Sequence, residues 1–149
     1  MTPHSDLYDT DFYAWCEEQA ALLHDHKWLD VDRDHLIEEL ALMAGNERRA
    51  LGSYLQGLLL HLLKWQYQPQ RRQTGHSWAD SILHNREHMQ DLLEDSPSLR
   101  RHLAPLLLRH YPRARREAAS ETDMPLATFP EACPWTLEQI LHPDFWPEP

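Results

Sequence analysis

The sequence predicts an all-α fold, a single-domain bundle of about five helices around one long central helix. Along most of the chain, apolar residues recur every three to four positions, which is the spacing of an amphipathic α-helix. The chain has only four glycines, which argues against a turn-rich β fold. Its eleven prolines are absent between Pro3 and Pro69 and crowd the C-terminal end, so the pattern predicts long helices first and a proline-rich wrapping tail last.

Length and composition are those of one ordinary globular domain. The 149 residues leave no room for two well-cored domains, and 42% hydrophobic residues are enough to build one core. We therefore expect one helical domain over residues 1–149, with an N-terminal tail at 1–8 and a C-terminal tail at 124–149 that wraps the bundle. A formal net charge of −10 disfavours a nucleic-acid coat protein or a membrane-surface protein.

The net charge hides a segregation along the chain. Residues 1–47 hold twelve acidic and two basic side chains, residues 48–116 hold twelve basic and five acidic ones, and residues 117–149 hold seven acidic ones and no basic one. Two interpretations stay open. The basic middle packs against the acidic ends, or it forms an anion-binding face that acidic segments border.

The first helix is predicted from about Asp11 to His24. Asp9 or Thr10 can cap it, because a short polar side chain at that position accepts a hydrogen bond from a free backbone N–H of the first turn. A short acidic link follows, and Asp32 is a suitable cap for the next helix.

The stretch from about Arg33 to Gln66 is predicted to be the long central helix. When its residues are placed at intervals of about 100°, the apolar phase continues through Gly45. This pattern favours one helix, kinked or frayed near Gly45, or two helices nearly in register; Gly45 and Asn46 can instead form a C-cap and a turn. The apolar stripe consists of Leu36, Leu40, Met43, Leu51, Tyr54, Leu58 and Trp65.

A polar loop is predicted at Tyr67–His76, and Ser77 can cap a further helix over about Trp78–Asp95. Ser96 followed by Pro97 is another helix start signal, since proline is favoured at the first helical position.

The helix that begins at Pro97 contains Pro105 and Pro112, and each proline predicts a kink or a break. Leu106–Ala119 is still expected to be mostly helical, and a short helix is expected near Thr136–Leu141. The tail carries apolar anchors that we expect to pack on the bundle, because exposed aromatic residues at this density would promote association. These anchors are Phe129, Trp135, Ile140, Phe145 and Trp146.

Several motifs follow one another in a specific order along the chain. They are Tyr8-x-x-Asp11-Phe12-x-x-Trp15, Leu36-Ile37-Glu38-Glu39-Leu40, Asn46-Glu47-Arg48-Arg49, Leu59-x-His61-Leu62-Leu63-Lys64-Trp65-Gln66-Tyr67-Gln68-Pro69 with Arg71, Ser77-Trp78, Ser96-Pro97-Ser98-Leu99, the segment from Thr128 to Leu141, and Asp144-Phe145-Trp146. In this order they resemble a known bacterial family, the domain-of-unknown-function family twenty-nine. The resemblance spans nearly the whole chain and implies an all-helical domain, but it implies no activity. Pro105 and Pro112 depart from the helix-friendly residues expected at their positions.

Glu47 and His61 are the candidate catalytic residues, because both fall on the apolar stripe of the long helix. They lie 14 positions apart, about 21 Å along one helix, so they cannot touch each other. Each therefore needs a partner from another helix, and Arg86 is a candidate partner for Glu47. The pair either fixes the packing of the helices or forms a catalytic or ligand-binding site.

A second candidate is a group of cationic and aromatic side chains at the end of the long helix and in the loop beyond it. Such a group can stack a base and hold an anion, or it can form a packed corner through cation–π contacts. Arginines further along the chain can extend it into a basic strip, with Arg109, Arg113 and Arg116 on one side of their helix. The candidate ligand- or anion-binding residues are Lys64, Trp65, Arg71, Arg72, Trp78 and Arg86.

No cofactor and no metal site is expected from the sequence. Glycine-rich nucleotide-binding motifs are absent, and the order His35-x-x-Glu38 is the reverse of the usual carboxylate-bundle pair. His84 and His88 have metal-binding spacing but are expected to be surface histidines. Cys16 and Cys133 are expected to be reduced thiols in the cytoplasm, and no segment is long enough to span a membrane.

These observations favour a non-enzymatic cytoplasmic interaction or accessory protein that binds another protein or itself. Two alternatives remain open. The first is a small enzyme or anionic-ligand-binding protein centred on His61 and Glu47, and the second is weak nucleic-acid binding by the basic middle segment. No membrane partner is expected, and a nucleic acid is disfavoured by the net charge.

Overall fold

A computed structural model describes residues 6–73 and 77–149. The start of the predicted N-terminal tail and positions 74–76 of the predicted loop therefore lie outside the described residues. Within the described ranges the chain is helical and contains no strand, so the all-α prediction with a long central helix is confirmed. The α-helices are α1 Leu7–Thr10, α2 Phe12–His24, α3 Arg33–Tyr67, α4 Trp78–Asp95, α5 Leu103–Thr122 and α6 Leu137–Leu141.

The chain divides into two compact units, Met1–Gly45 and Asn46–Pro149. Helix α3 is continuous through Gly45, so the continuous reading of this stretch is correct and the C-cap alternative is wrong. Because the chain divides into two units, the expectation that residues 1–149 form a single domain stays a prediction.

In the first unit, Asp11 caps α2. Its Oδ1 accepts a hydrogen bond from the backbone N–H of Ala14 at 3.1 Å. The expectation that Asp9 or Thr10 caps this helix is wrong, because both residues belong to the short helix α1.

Asp32 organises the centre of the first unit and precedes α3, as the sequence predicts. Its buried carboxylate accepts hydrogen bonds from Trp15 Nε1 at 3.1 Å and from His35 Nδ1 at 2.6 Å. Its backbone N–H donates to Gln19 Oε1 at 2.7 Å. Burial alone would raise the pKa of Asp32, but the hydrogen bonds from His35 and Trp15 hold this pKa below its usual value.

The predicted apolar stripe of α3 is buried only in the second unit. Leu51 and Leu58 are fully buried, whereas Leu40 is 64% exposed and Met43 is 63% exposed. Leu40 and Met43 have the phase of the predicted stripe but do not belong to the core. An apolar phase shows which residues share one side of a helix, but not whether another element covers that side.

In the second unit, α4 has the predicted bounds, and the hydroxyl of Ser77 caps it by accepting from Asp80 N at 3.0 Å. After α4 the chain forms a 3-10 helix over Pro97–His102 before α5 begins. The predicted helix start at Ser96-Pro97 is confirmed, since Pro97 is the first residue of this 3-10 helix, although the side chain of Ser96 makes no capping hydrogen bond.

Helix α5 continues through Pro112, so the predicted break does not occur there. Pro105 is the third residue of α5, where a backbone N–H has no partner within the helix in any case. None of the described helices has the length and apolar character needed to cross a membrane.

The C-terminal segment contributes to the core of the second unit. Phe129, Trp135 and Ile140 are buried with the leucines of α3. The hydroxyl of Tyr111 on α5 donates to the carbonyl of Pro130 at 2.6 Å. Thr136 caps the short helix α6 near the predicted position.

Candidate functional site

The strongest candidate for a binding site is a cationic cleft of about 340 Å³ between α3 and α5 in the second unit. We call it the arginine cleft. Positive charge dominates its walls, and its lining includes no Phe, Tyr or Trp and no carboxylate. The lining residues are Arg48, Arg49, Ser53, Leu106, Arg109, His110 and Arg113.

Two helices supply the four arginines. Arg48 and Arg49 are consecutive on α3, and Arg109 and Arg113 are one turn apart on α5, so their side chains project from the same side of that helix. All four are exposed. Arg49 donates a hydrogen bond to the side-chain oxygen of Asn46, and within the described part of the chain none of the four forms an ion pair with a carboxylate.

His110 lies between the arginines, and a glycine opposite makes room for it. A Cβ atom at Gly52 would lie 2.5 Å from His110 Nε2, which is closer than side chains pack. Nδ1 of His110 donates to Gln56 Oε1 at 2.8 Å, and the amide of Gln56 donates to Glu117. The ring of His110 is therefore held against α3 in one orientation.

Burial lowers the pKa of His110, and the positive charges of Arg113 and Arg109 lower it further. Near neutral pH the imidazole is therefore neutral, and the arginines provide the positive charge of the cleft. An anion bound among the arginines would offset their effect and raise the pKa of His110.

The arrangement is suited to binding a carboxylate or another oxyanion. Guanidinium groups stay charged at all physiological pH values and present paired N–H donors that match two oxygens of a carboxylate or phosphate. The cleft offers neither a nucleophile held by a base nor a described set of metal ligands, since no group of three or more metal-binding side chains occurs in the described ranges.

Glu47 does not lie where the sequence predicted. Its side chain is exposed, and it does not line the arginine cleft. The predicted buried position is wrong: Glu47 is exposed, as are Leu40 and Met43 on the same side of α3. The expected partner, Arg86, is engaged elsewhere.

His61 is half-buried, as its apolar surroundings suggest, and its polar group is satisfied within its own helix. Its Nδ1 donates to the carbonyl of Gly57, one turn earlier, at 2.7 Å. Burial lowers the pKa of His61, and the nearby charge of Lys64 lowers it further. His61 does not line the arginine cleft, and it lies on α3 away from Glu47.

Arg86 holds the C-terminal segment instead of an anion. It is 2% exposed on α4. Its Nε donates to the carbonyl of Ile140 at 2.8 Å, and Nη2 donates to the carbonyl of Phe145 at 2.6 Å. Its guanidinium also lies 5.7 Å from the ring centre of Trp146.

The cationic and aromatic residues at the end of α3 form a packed corner, which is one of the two interpretations that the sequence left open. The guanidinium of Arg72 lies 4.6 Å from the ring centre of Trp65 and donates to the Trp65 carbonyl at 2.7 Å. Lys64 pairs with Glu121 at 2.8 Å and lies 6.0 Å from the ring centre of Trp78. Arg71 is exposed beside this corner and has a partner of its own.

The sequence therefore identified only part of the arginine cleft. Arg109 and Arg113 were recognised as one side of a helix, but Arg48, Arg49 and His110 were not assigned to a site. A usable signal existed, because Arg48 and Arg49 begin the basic segment of the chain. What joins them to α5 is a close approach at Gly52 that no local pattern reveals.

Comparison with known proteins adds a family but no activity. No curated protein and no solved structure matches the chain. A family-level match covers residues 7–146 and is described as Domain of unknown function DUF29. With nearly the whole chain matched, the protein belongs to this family, as the order of its motifs indicated.

Proposed function

We propose that the protein is a non-enzymatic binding protein that recognises an acidic segment of a partner protein through the arginine cleft. The single observation that carries this proposal is the cleft itself, in which four exposed arginines converge without a carboxylate to neutralise them in the described part of the chain. Such a surface attracts an anion, and paired guanidinium donors fit the side chains of Asp and Glu.

A protein partner fits the cleft better than a nucleic acid. Proteins that bind single strands stack the bases on aromatic side chains, whereas the lining includes no Phe, Tyr or Trp, and its one ring, His110, is held by Gln56. The formal net charge of −10 also opposes association with a polyanion that extends beyond the cleft.

Exposed apolar side chains in the first unit support a protein partner as well. Leu29 is 97% exposed, and Leu40 and Met43 are each more than half exposed. Apolar side chains in such positions are typical of surfaces that another protein covers. A second copy of the chain is one such protein, and sedimentation velocity distinguishes self-association from binding to another protein.

A cytoplasmic location belongs to the same proposal. It is supported by the two cysteines, Cys16 and Cys133, which are both free thiols in the structure. Thiols persist unpaired in a reducing compartment.

The test is the anisotropy of a fluorescent peptide of alternating Asp and Glu, titrated with the protein at low and at physiological salt. The double variant R109Q/R113Q should weaken binding at least about tenfold, because it removes two of the four guanidinium groups. The matched control, R100Q/R101Q, removes the same charge from exposed positions outside the cleft and should change binding less than about twofold.

Two further probes complete the test. A peptide of the same length built from Asn and Gln should not bind, because binding depends on carboxylates. If a single-stranded oligonucleotide binds more tightly than the acidic peptide, the partner of the cleft is a nucleic acid and the proposed protein partner is wrong. Equal losses in the two double variants would show that binding reflects overall charge and would overturn the role of the cleft.

A further inference from the structure

His84 and His88 form a pair whose geometry is independent of the arginine cleft. They lie one turn apart on α4, and their Nε2 atoms are 2.9 Å apart with the rings at 79°. His84 is exposed and His88 is half-buried, and the hydrogen bond between them lies at the surface, as expected for surface histidines. The two Nε2 atoms therefore face each other within hydrogen-bond distance.

A close helix crossing holds one ring of the pair. At Gly57 on α3 a Cβ atom would lie 3.1 Å from the Asn85 side chain, so α3 and α4 approach each other closely here. One turn before Gly57, Tyr54 stacks on the ring of His88, with ring centres 4.6 Å apart and planes 4° from parallel. His88 is therefore oriented before any ligand binds.

The separation of the two nitrogens fits a shared metal ion. Two imidazole nitrogens that each lie about 2.0–2.1 Å from one cation subtend roughly 90° at the metal when they are 2.9 Å apart. This angle suits the tetragonal geometry of Cu²⁺ and the octahedral geometry of Ni²⁺, whereas a tetrahedral Zn²⁺ needs a wider separation.

The surroundings also favour a cation. Asp80 and Glu87 are neighbours of His84 on the surface of α4, and Asp91 is a neighbour of His88. All three carboxylates are exposed. In the described part of the chain no third metal-binding side chain completes the pair, so the remaining coordination positions face solvent.

We infer that His84 and His88 form a two-histidine chelate for a divalent transition-metal ion of the Cu²⁺ or Ni²⁺ type. Without the ion, the two Nε2 atoms share one proton in an N–H···N hydrogen bond. When the ion binds, the donating ring changes tautomer: its Nε2 proton passes to solvent, its Nδ1 takes up a proton from solvent, and each Nε2 then donates its lone pair to the metal. The first-row affinity order places Cu²⁺ first.

The test uses the full chain without a histidine tag, titrated with cupric chloride and followed by electron paramagnetic resonance. We expect each chain to bind one Cu²⁺ ion tightly, with a spectrum that shows two equivalent nitrogen ligands. The variant H84A leaves the stack of Tyr54 on His88 intact and should lower the affinity for this Cu²⁺ ion at least about tenfold. The matched control H142A removes an exposed histidine from outside the pair and should change the Cu²⁺ affinity less than about twofold.

Competition among metals tests the geometry separately. Binding should fall in the order Cu²⁺, Ni²⁺, Zn²⁺, and a site that prefers Zn²⁺ to Ni²⁺ would overturn the right-angle arrangement. Cupric ion that distributes over the other histidines with equal affinity, and is unaffected by H84A or by H88A, would be adventitious and would overturn the site. Circular dichroism of each variant shows that the helices are retained.

Discussion

Replacing Arg86 by Met should release the C-terminal segment from the second unit. Met keeps an apolar stem of similar length, so the substitution removes mainly the guanidinium group. Two carbonyl groups, of Ile140 and Phe145, then lose the donors that they contact at 2.8 and 2.6 Å. The Arg86 side chain is 2% exposed, so water has little access to replace those donors.

The magnitude follows from opposing contributions. A buried carbonyl without a donor costs about 1–3 kcal/mol, and two are created here. Removing a buried guanidinium recovers part of its desolvation cost, which also lowers the pKa of Arg86. We expect a net loss of about 2–4 kcal/mol, which at a urea dependence of about 2 kcal/mol per M shifts the unfolding midpoint down by roughly 1–2 M.

The assay is urea unfolding followed by tryptophan fluorescence, to which Trp146 beside Arg86 contributes. Limited proteolysis should show faster cleavage after Phe129 in R86M than in the unchanged protein. The control R100M removes the same charge from an exposed position and should leave the midpoint nearly unchanged. A midpoint for R86M that matches the control would show that Arg86 does not hold the C-terminal segment.

Three other perturbations have definite expected outcomes. G52A should lower the free energy of unfolding by up to about 2 kcal/mol, because overpacking by a Cβ that would lie 2.5 Å from His110 Nε2 costs about 1–3 kcal/mol and alanine in a helix returns about 1 kcal/mol. In thermal unfolding, G52A/H110A should be no less stable than H110A, and the same loss in that background would exclude the clash as its cause. The fold lowers the pKa of His61, so as the pH falls through about 6.5 the unfolded chain takes up the proton first and the free energy of unfolding declines. Urea unfolding between pH 7.5 and 5.5 should show a shallower decline for H61Q than for the unchanged protein, and an equal decline in both would contradict this role of His61. D32N should lower stability by about 1–3 kcal/mol, because the short hydrogen bond from His35 loses its charged acceptor, whereas D34N at an exposed position should not.

Signals that are local in the chain predicted local structure well. Ser77 caps α4 because a hydroxyl at that point can accept from the first turn, and the helix ends at Asp95 before Ser96-Pro97, as the sequence predicts. Asp32 precedes α3 for the same reason. These features depend on residues three or four positions apart, so they can be recognised without knowledge of the tertiary structure.

Predictions that depended on a neighbouring helix were less successful. Glu47 has the helical phase of the buried leucines, but burial needs a covering element, and the side chain is exposed. Arg86 was expected to pair with Glu47, yet its partners are backbone carbonyls of Ile140 and Phe145, more than fifty positions away. Periodicity gives the direction of a side chain but does not give its partner.

The glycines of α3 mark where the partners are. A glycine inside a helix costs about 1 kcal/mol relative to alanine, so α3 gives up stability at Gly52 and Gly57. At Gly52 the missing side chain admits His110 of α5, and at Gly57 it lies against Asn85 of α4. The arginine cleft lies beside the first close approach and the histidine pair lies beside the second. Both proposed sites thus depend on the same device, in which a small residue on the long helix lets a neighbouring helix come near enough for polar side chains of the two helices to meet.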